Sequence, residues 1–330
     1  VMALMLLLLG AETYAQTRIK VQEPIQNIPR IKSLDSELRA YELFHMQVEQ
    51  VNALLVEEAA APTITLELSE QLPLELILEP VNLKTKDYQV TIHTPEGYQS
   101  PKNNPVFAYK GFLKSDPNSK VRLTVTEEQF SGVVQNYQGD NLHFKTLAGP
   151  AGQPLLVTYK DTDLLQPTTH RCGSPEPKSD NNQGNRSSGI TAECVLTEIY
   201  LIADAAAVDA FGGSPATAEA NMLEVLNLVN SHYEPVGVKY EVAGIFISTD
   251  PNGPWPVRNQ ADDQLDAAID WFNDQNFPGD VFTFWSSPDW DYSYAYVGAI
   301  CRYYGGKPGD GRRHAAVCQH SLSGNADRKM

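Results

Sequence analysis

The chain has 330 residues, 42% of them hydrophobic and 20% charged, and its 41 acidic against 25 basic side chains give a net charge of −16. That length and apolar content are enough for two domains with separate cores, while the acidic excess repels a phosphate backbone and excludes nucleic acid as a partner. Past its first residues no apolar run reaches the roughly 18 positions that a membrane helix needs, so no membrane anchor is expected.

In chain order, residues 1–15 begin with a short Leu-rich run and end in Ala11-Glu12-Thr13-Tyr14-Ala15, the pattern of an export signal cut after Ala15. The chain is therefore expected to be secreted. Residues 33–58 carry Leu34, Leu38, Tyr41, Leu43, Phe44, Val48, Val51, Leu54 and Leu55 at helical spacing, with Ser33 or Asp35 as N-cap, and predict one helix. From 63 to 160 the pattern changes to short alternating runs, at 63–68, 88–93, 106–112, 120–125, 130–134, 142–144 and 155–159, broken by Pro, Gly, Asn and Asp. They predict an antiparallel β domain.

Pro167 to Gly189 is rich in Pro, Ser, Asn and Gly and reads as a cleavable linker. Beyond it strands and helices alternate: a strand at 194–204, a long helix at 215–233, a strand at 238–248, a helix at 262–273, a strand at 281–285 and another at 294–300. This order predicts an α/β layer. The fold class expected is thus α+β, a β-rich domain followed by a mixed, twisted sheet with helices. The boundaries are 1–15 signal, 16–166 first domain, 167–190 linker and 191–330 second domain.

Within the linker stands Arg171-Cys172-Gly173-Ser174-Pro175-Glu176. This R-C-G-x-P-acid phrase resembles the cysteine switch of zinc protease zymogens. Further phrases resemble the adamalysin (reprolysin) branch of the metzincin peptidases. The Tyr109-Lys110-Gly111 and Gly132-Val133-Val134 strands resemble its propeptide. Glu193 to Asp204 resembles the opening strand of its catalytic domain, Asn227 to Tyr233 the end of its first long helix, and Ala295 to Cys301 the edge strand of its substrate cleft. The resemblance implies a secreted, monomeric metalloendopeptidase zymogen acting on protein or peptide substrates. In such a zymogen Cys172 would occupy the open position of a catalytic zinc, where a soft thiolate displaces the water nucleophile. Arg171 would anchor the segment and Gly173 would let its backbone pass close to the cleft. Tyr296, Val297, Gly298 and Ala299 would hold substrate by strand addition. A Cys172–Cys194 disulfide is the competing reading of the same cysteine.

No H-E-x-x-H occurs, since the seven histidines are followed by Met46, Thr94, Phe144, Arg171, Tyr233, Ala315 and Ser321. The resemblance implies that the zinc-binding helix would follow Met330, so the chain is expected to be an inactive fragment of the precursor. His314, Cys318 and His320 sit in a Gly- and Arg-rich stretch, where a Cys301–Cys318 bridge closing a loop is the simpler reading than a zinc site. Asp289 and Asp291 beside Trp290 offer oxygens to calcium, against an exposed acidic turn. Asn185-Arg186-Ser187 is a glycosylation sequon, and Arg186 a candidate site of activating cleavage. The rival function class is a non-catalytic secreted binding protein or adhesin on a metzincin-like fold.

Overall fold

Alternation decides the first half of the fold. In the run Val121 to Val125 the side chains of Val121, Leu123 and Val125 are buried in one core with Leu76, Leu78, Tyr109, Phe130 and Phe144. Arg122 and Thr124 take the opposite face, as the pleat requires. The computed structural model describes residues 31–46, 48, 51, 64–67, 74–101, 105–127, 129–149, 154–165, 171–172, 195–255, 260–275, 277–286, 292–293 and 314–319. These form a β-rich α+β structure built on two main sheets.

Helix α1 (Lys32–Glu37) leads into β1 (Glu42–His45), β2 (Ile64–Glu67) and β3 (Glu75–Val81). Then come β4 (Lys84–Thr94), β5 (Gly97–Gln99), β6 (Phe107–Leu113), β7 (Asp116–Val125), β8 (Phe130–Tyr137), β9 (Asp140–Ala148) and β10 (Pro154–Lys160). Eight of these strands make an antiparallel sheet in the order β1-β10-β9-β8-β7-β6-β3-β2. At its centre Gly132 is held by packing: a Cβ there would stand 2.4 Å from the Arg122 carbonyl oxygen and 2.5 Å from the Phe144 ring.

The predicted helix over 33–58 is corrected. Helix α1 ends at Glu37, and Glu42 to His45 pair with Thr158 to Leu155 instead. The reason is a demand of period two, because Phe44 enters the main core while Leu43 packs with Leu34, Leu38 and Val157 on the other side. Residues 48 and 51 are helical again, and Val48 and Val51 close over the same core as Phe44.

Within the expected linker lies β11 (Arg171–Cys172), and after it come β12 (Val195–Ala203), α2 (Ala205–Ala210), α3 (Pro215–Tyr233), β13 (Val238–Ser248), α4 (Ala261–Asp274), β14 (Val281–Ser286), β15 (Tyr292–Ser293) and β16 (His314–Gln319). The second sheet has the order β16-β14-β12-β13-β4-β5. All its strands are parallel except β5. Its apolar strands are covered on one face by α4, through Leu265, Ile269 and Phe272 against Tyr200, Phe246, Phe282 and Phe284. On the other, α3 buries Ala218, Met222, Leu223 and Leu226 against Ile199, Leu201, Val242, Ile245 and Ile247.

Two expectations are corrected here. Strand β4, expected within the antiparallel domain, leaves the first sheet and pairs in parallel with β13, from Lys84 opposite Val242 to His93 opposite Ser248. The ladder shifts register at Gly244, where a Cβ would meet the Tyr200 ring at 2.6 Å. The stretch around His314 and Cys318, expected as a loop, is β16 and runs parallel to β14. Its short Ala-Ala-Val core suits a strand flanked by a buried neighbour. The strand expected at 294–300 lies outside the described residues, as do residues 1–15 and most of the linker.

Helix α3 lies between the two sheets and carries a stripe for each. Its second stripe is polar: Asn221, Glu224, Asn227 and Ser231 face the first sheet. Asn227 is 1% exposed and its Nδ2 donates to the carbonyl oxygens of Tyr109 (3.3 Å) and Leu123 (3.0 Å) and to Thr124 Oγ1 (3.3 Å). Gln135 donates to Ser231 Oγ at 3.0 Å, and the Lys145 ammonium donates to Asn221 at 3.1 Å and lies 3.5 Å from Glu224. Arg122 pairs with Glu234 at 2.8 Å just past the end of the helix. Truncating Asn227 leaves buried carbonyls without that donor, so Asn227→Ala is expected to lower stability by about 1–3 kcal/mol in urea unfolding. An unchanged midpoint would mean that the helix is not fastened to the first sheet through this side chain.

Candidate functional site at the carboxyl rim of the second sheet

Parallel strands bring their carboxyl ends to one rim, and open α/β sheets place their sites there. Here the rim collects Ser286 at the end of β14, Asp204 just past β12, Ser248 at the end of β13 and His93 near the end of β4. Asp204 is buried and acts as the N-cap of α2, accepting from the Ala207 amide at 2.8 Å. The Ser286 hydroxyl donates to its other carboxylate oxygen. The Asp204 amide in turn donates to the Trp285 carbonyl at 3.1 Å, and Trp285 packs against Phe211. Beside this pair, His93 Nδ1 lies 3.1 Å from Ser248 Oγ, and the His93 ring stacks on Phe246.

Burial pushes the Asp204 carboxyl up to about 6, against the hydrogen bonds from Ser286 and the Ala207 and Ala206 amides, which lower it. Its burial at a strand terminus makes Asp204 the candidate functional group of this rim, and the same side chain is the structural cap of α2. Sequence reasoning passed over Asp204, although an Asp between a β-branched strand and Ala205-Ala206-Ala207 is an N-cap signal. Ser286 offered no such signal.

Of the residues expected to form the site, Arg171 and Cys172 make β11, which pairs in parallel with β15: Arg171 stands opposite Tyr292 and Cys172 opposite Ser293. Tyr292 follows Ser286 by six residues, at most about 22 Å of extended chain, so with one strand spacing of about 5 Å the backbone of the Cys172 segment is tethered within about 27 Å of the rim. Gly173, Tyr296, Val297, Gly298 and Ala299 lie outside the described residues, as do Asp289, Asp291, Cys301 and His320. His314 and Cys318 are both in β16, where Cys318 stands opposite Trp285. Among the described residues no group of three or more His, Cys, Asp or Glu could hold a metal ion, so these residues do not fit a zinc cage. No helix among them is long and apolar enough to cross a membrane. A cavity of about 350 Å³ between β7 and the Glu234–Val236 turn is lined by Lys110, Lys120, Arg122 and Glu234, and by none of the rim residues.

No family model matches the chain, and no curated protein does. Among solved structures it is similar to the crystal structure of metalloproteinase-II from Bacteroides fragilis. That match has 10% identity and a TM-score of 0.46, over 81% of this chain and 78% of that one. The structure of a chaperone-substrate complex is matched at 9% identity and a TM-score of 0.31, over 81% of this chain and 32% of that one.

The Asp204 environment has a consequence for stability. Its folded-state pKa lies above the 3.8 of a free aspartate, so the folded chain holds this proton more tightly than the unfolded chain. The group therefore favours folding when protonated, and that advantage is lost as pH rises from 3.8 to about 6, by on the order of 3 kcal/mol. Asp204→Asn keeps a capping oxygen without the charge. Its urea midpoint is expected to lose less than that of the wild type across this window and to match or exceed it at pH 7.5. Parallel pH profiles of the two proteins would contradict the assignment.

Proposed function

We propose that this chain is the latent precursor of a secreted, adamalysin-like zinc endopeptidase, acting as a monomer on protein or peptide substrates. Its N-terminal β sheet serves as propeptide and Cys172 as the inhibitory thiol. The observation that carries this reading is the parallel pairing of Arg171–Cys172 with Tyr292–Ser293, downstream of β14. It supports a linker segment held extended beside the chain that follows β14, as a thiol presented to a cleft requires. Zinc, when bound, would polarise the scissile carbonyl and supply the water nucleophile. The described residues provide no such ligand set, and their part is confined to holding the segment and shaping the sheet behind it.

That same lack of a ligand set favours one rival, a secreted binding protein or adhesin without metal. Two measurements separate the readings. Peptide mapping of the secreted protein after alkylation without reductant is expected to find Cys172 as a free thiol. A Cys172–Cys194 disulfide would remove the inhibitory role. In calorimetric titration the 330-residue chain is expected to take up no stoichiometric zinc at micromolar concentration. Tight binding of one ion would place a complete cage within these residues, contrary to the present reading.

A further inference from the structure

The N-terminal sheet and the second sheet are joined by contacts that do not involve the segment between them. Strand β4 pairs in parallel with β13 at Lys84 and again from Gln89 to His93, and Leu83 and Val90, with Val81 of β3 and Ala108 of β6, enter the core formed by α3 and β13. At the same seam the carboxylate of Glu219 on α3, itself 3% exposed, is met from β4 by the Lys84 ammonium at 3.1 Å and the Tyr88 hydroxyl at 2.7 Å. Burial, and then the Glu219 charge, push the Tyr88 hydroxyl far above its ordinary pKa, so it remains a donor. The polar stripe of α3 adds the contacts of Asn227, Ser231 and Glu224 with the first sheet.

We propose that the open edge of β13 and the polar stripe of α3 form a docking surface for the N-terminal β sheet as a separate polypeptide. When the chain is cut between Leu165 and Val195, residues 31–165 stay bound as a strand-donating subunit. Every contact named above lies outside residues 166–194, so a cut there removes none of them. Departure of the subunit would bare the β13 edge and uncover Ile245 and Ile247, both fully buried in the intact chain. It would also separate Glu219 from both of its donors. The hydrogen-bonded character of the α3 seam is that of an interface able to form between separate partners. The partner it fits is a β sheet that offers a parallel strand with a cation and a phenol four residues apart, as Lys84 and Tyr88 are. The inference rests on the geometry of the two sheets and not on the peptidase reading. Under that reading, linker cleavage alone would not free the second sheet.

The test places one site for a specific protease between Ser179 and Asn185 in the full chain and cuts it to completion. At low micromolar concentration in native buffer the two pieces are expected to co-elute in gel filtration. The amides of Val242 to Ser248 are expected to keep their uncut protection from hydrogen exchange. Lys84→Met and Tyr88→Phe, each checked for folding before the cut, are expected to weaken retention about tenfold or more. Glu79→Gln, which breaks the exposed Lys110–Glu79 pair within the first sheet, is expected to leave retention unchanged. Separation of the pieces on cutting, or loss of protection at β13 while they still co-elute, overturns the proposal. Wild-type retention in both seam variants overturns the role of Glu219. Should Lys84→Met fail to fold, the exchange pattern of the cut wild type decides. Peptidase activity enters none of these readouts, so failure of the functional reading leaves this result standing.

Discussion

The parallel ladder between β4 and β13 is the constraint on which the architecture depends. Strand β3 belongs to the first sheet and ends at Val81, β4 belongs to the second and begins at Lys84, and only Asn82 and Leu83 lie between them. Leu83 is buried, and its carbonyl accepts the Val242 amide at 2.7 Å, so the crossing point is fixed by a hydrogen bond and by packing together. A change of sheet within two residues leaves little freedom in how the sheets are placed. The wedge between them is filled by α3, whose two stripes are required by two different neighbours.

Those stripes explain why α3 is buried along much of its length without being apolar all round. Toward the second sheet it carries Ala218, Met222 and Leu226, and burial there removes hydrocarbon from water. Toward the first sheet it meets the outward face of β7, β8 and β9, which alternation makes polar: Arg122 and Thr124, Gln135, Lys145. Polar groups on this face need partners: Thr124, Gln135 and Lys145 find one on the helix, and Arg122 finds one in Glu234 just past its end. The match is specific in a way that apolar packing is not. A helix rotated by one residue would bring carbon against these donors and acceptors and leave them unsatisfied.

Much of this was legible in the chain. The alternation of 120–125, the apolar stripe of 215–233 and the inner face Leu265, Ile269, Phe272 are local patterns, and each stands where its period places it. What local pattern does not contain is the partner. Nothing in Tyr88-Gln89-Val90-Thr91 distinguishes an antiparallel neighbour a few residues away from a parallel one on the far side of the molecule. The pairing of Cys172 with Ser293 is equally invisible to spacing. The helix expected at 33–58 failed because Leu34, Leu38, Phe44, Val48 and Val51 fit a helical stripe, yet Glu42 to His45 pair with β10 and send Leu43 and Phe44 to opposite faces, as a strand does. The segment at His314 was read from its Gly and Arg flanks and not from the Ala-Ala-Val within it. At the rim, Asp204 could have been found from its capping position, whereas Ser286 becomes meaningful only once β12 and β14 are neighbours.

The order in which the ribosome makes this chain bears on β4. His93 and Ser248, which meet at the end of the ladder, are 155 positions apart. Strand β4 is therefore synthesised long before β13 exists, and its apolar residues Val90 and Ile92 must wait without their final cover. Contacts of such wide separation close slowly, because the entropy of bringing distant segments together is spent before any pairing repays it. Assembly of the second sheet is thus a late event governed by the first-made part of the polypeptide. During that interval the waiting strand is the place where a nascent molecule would misassociate with another or engage a folding helper.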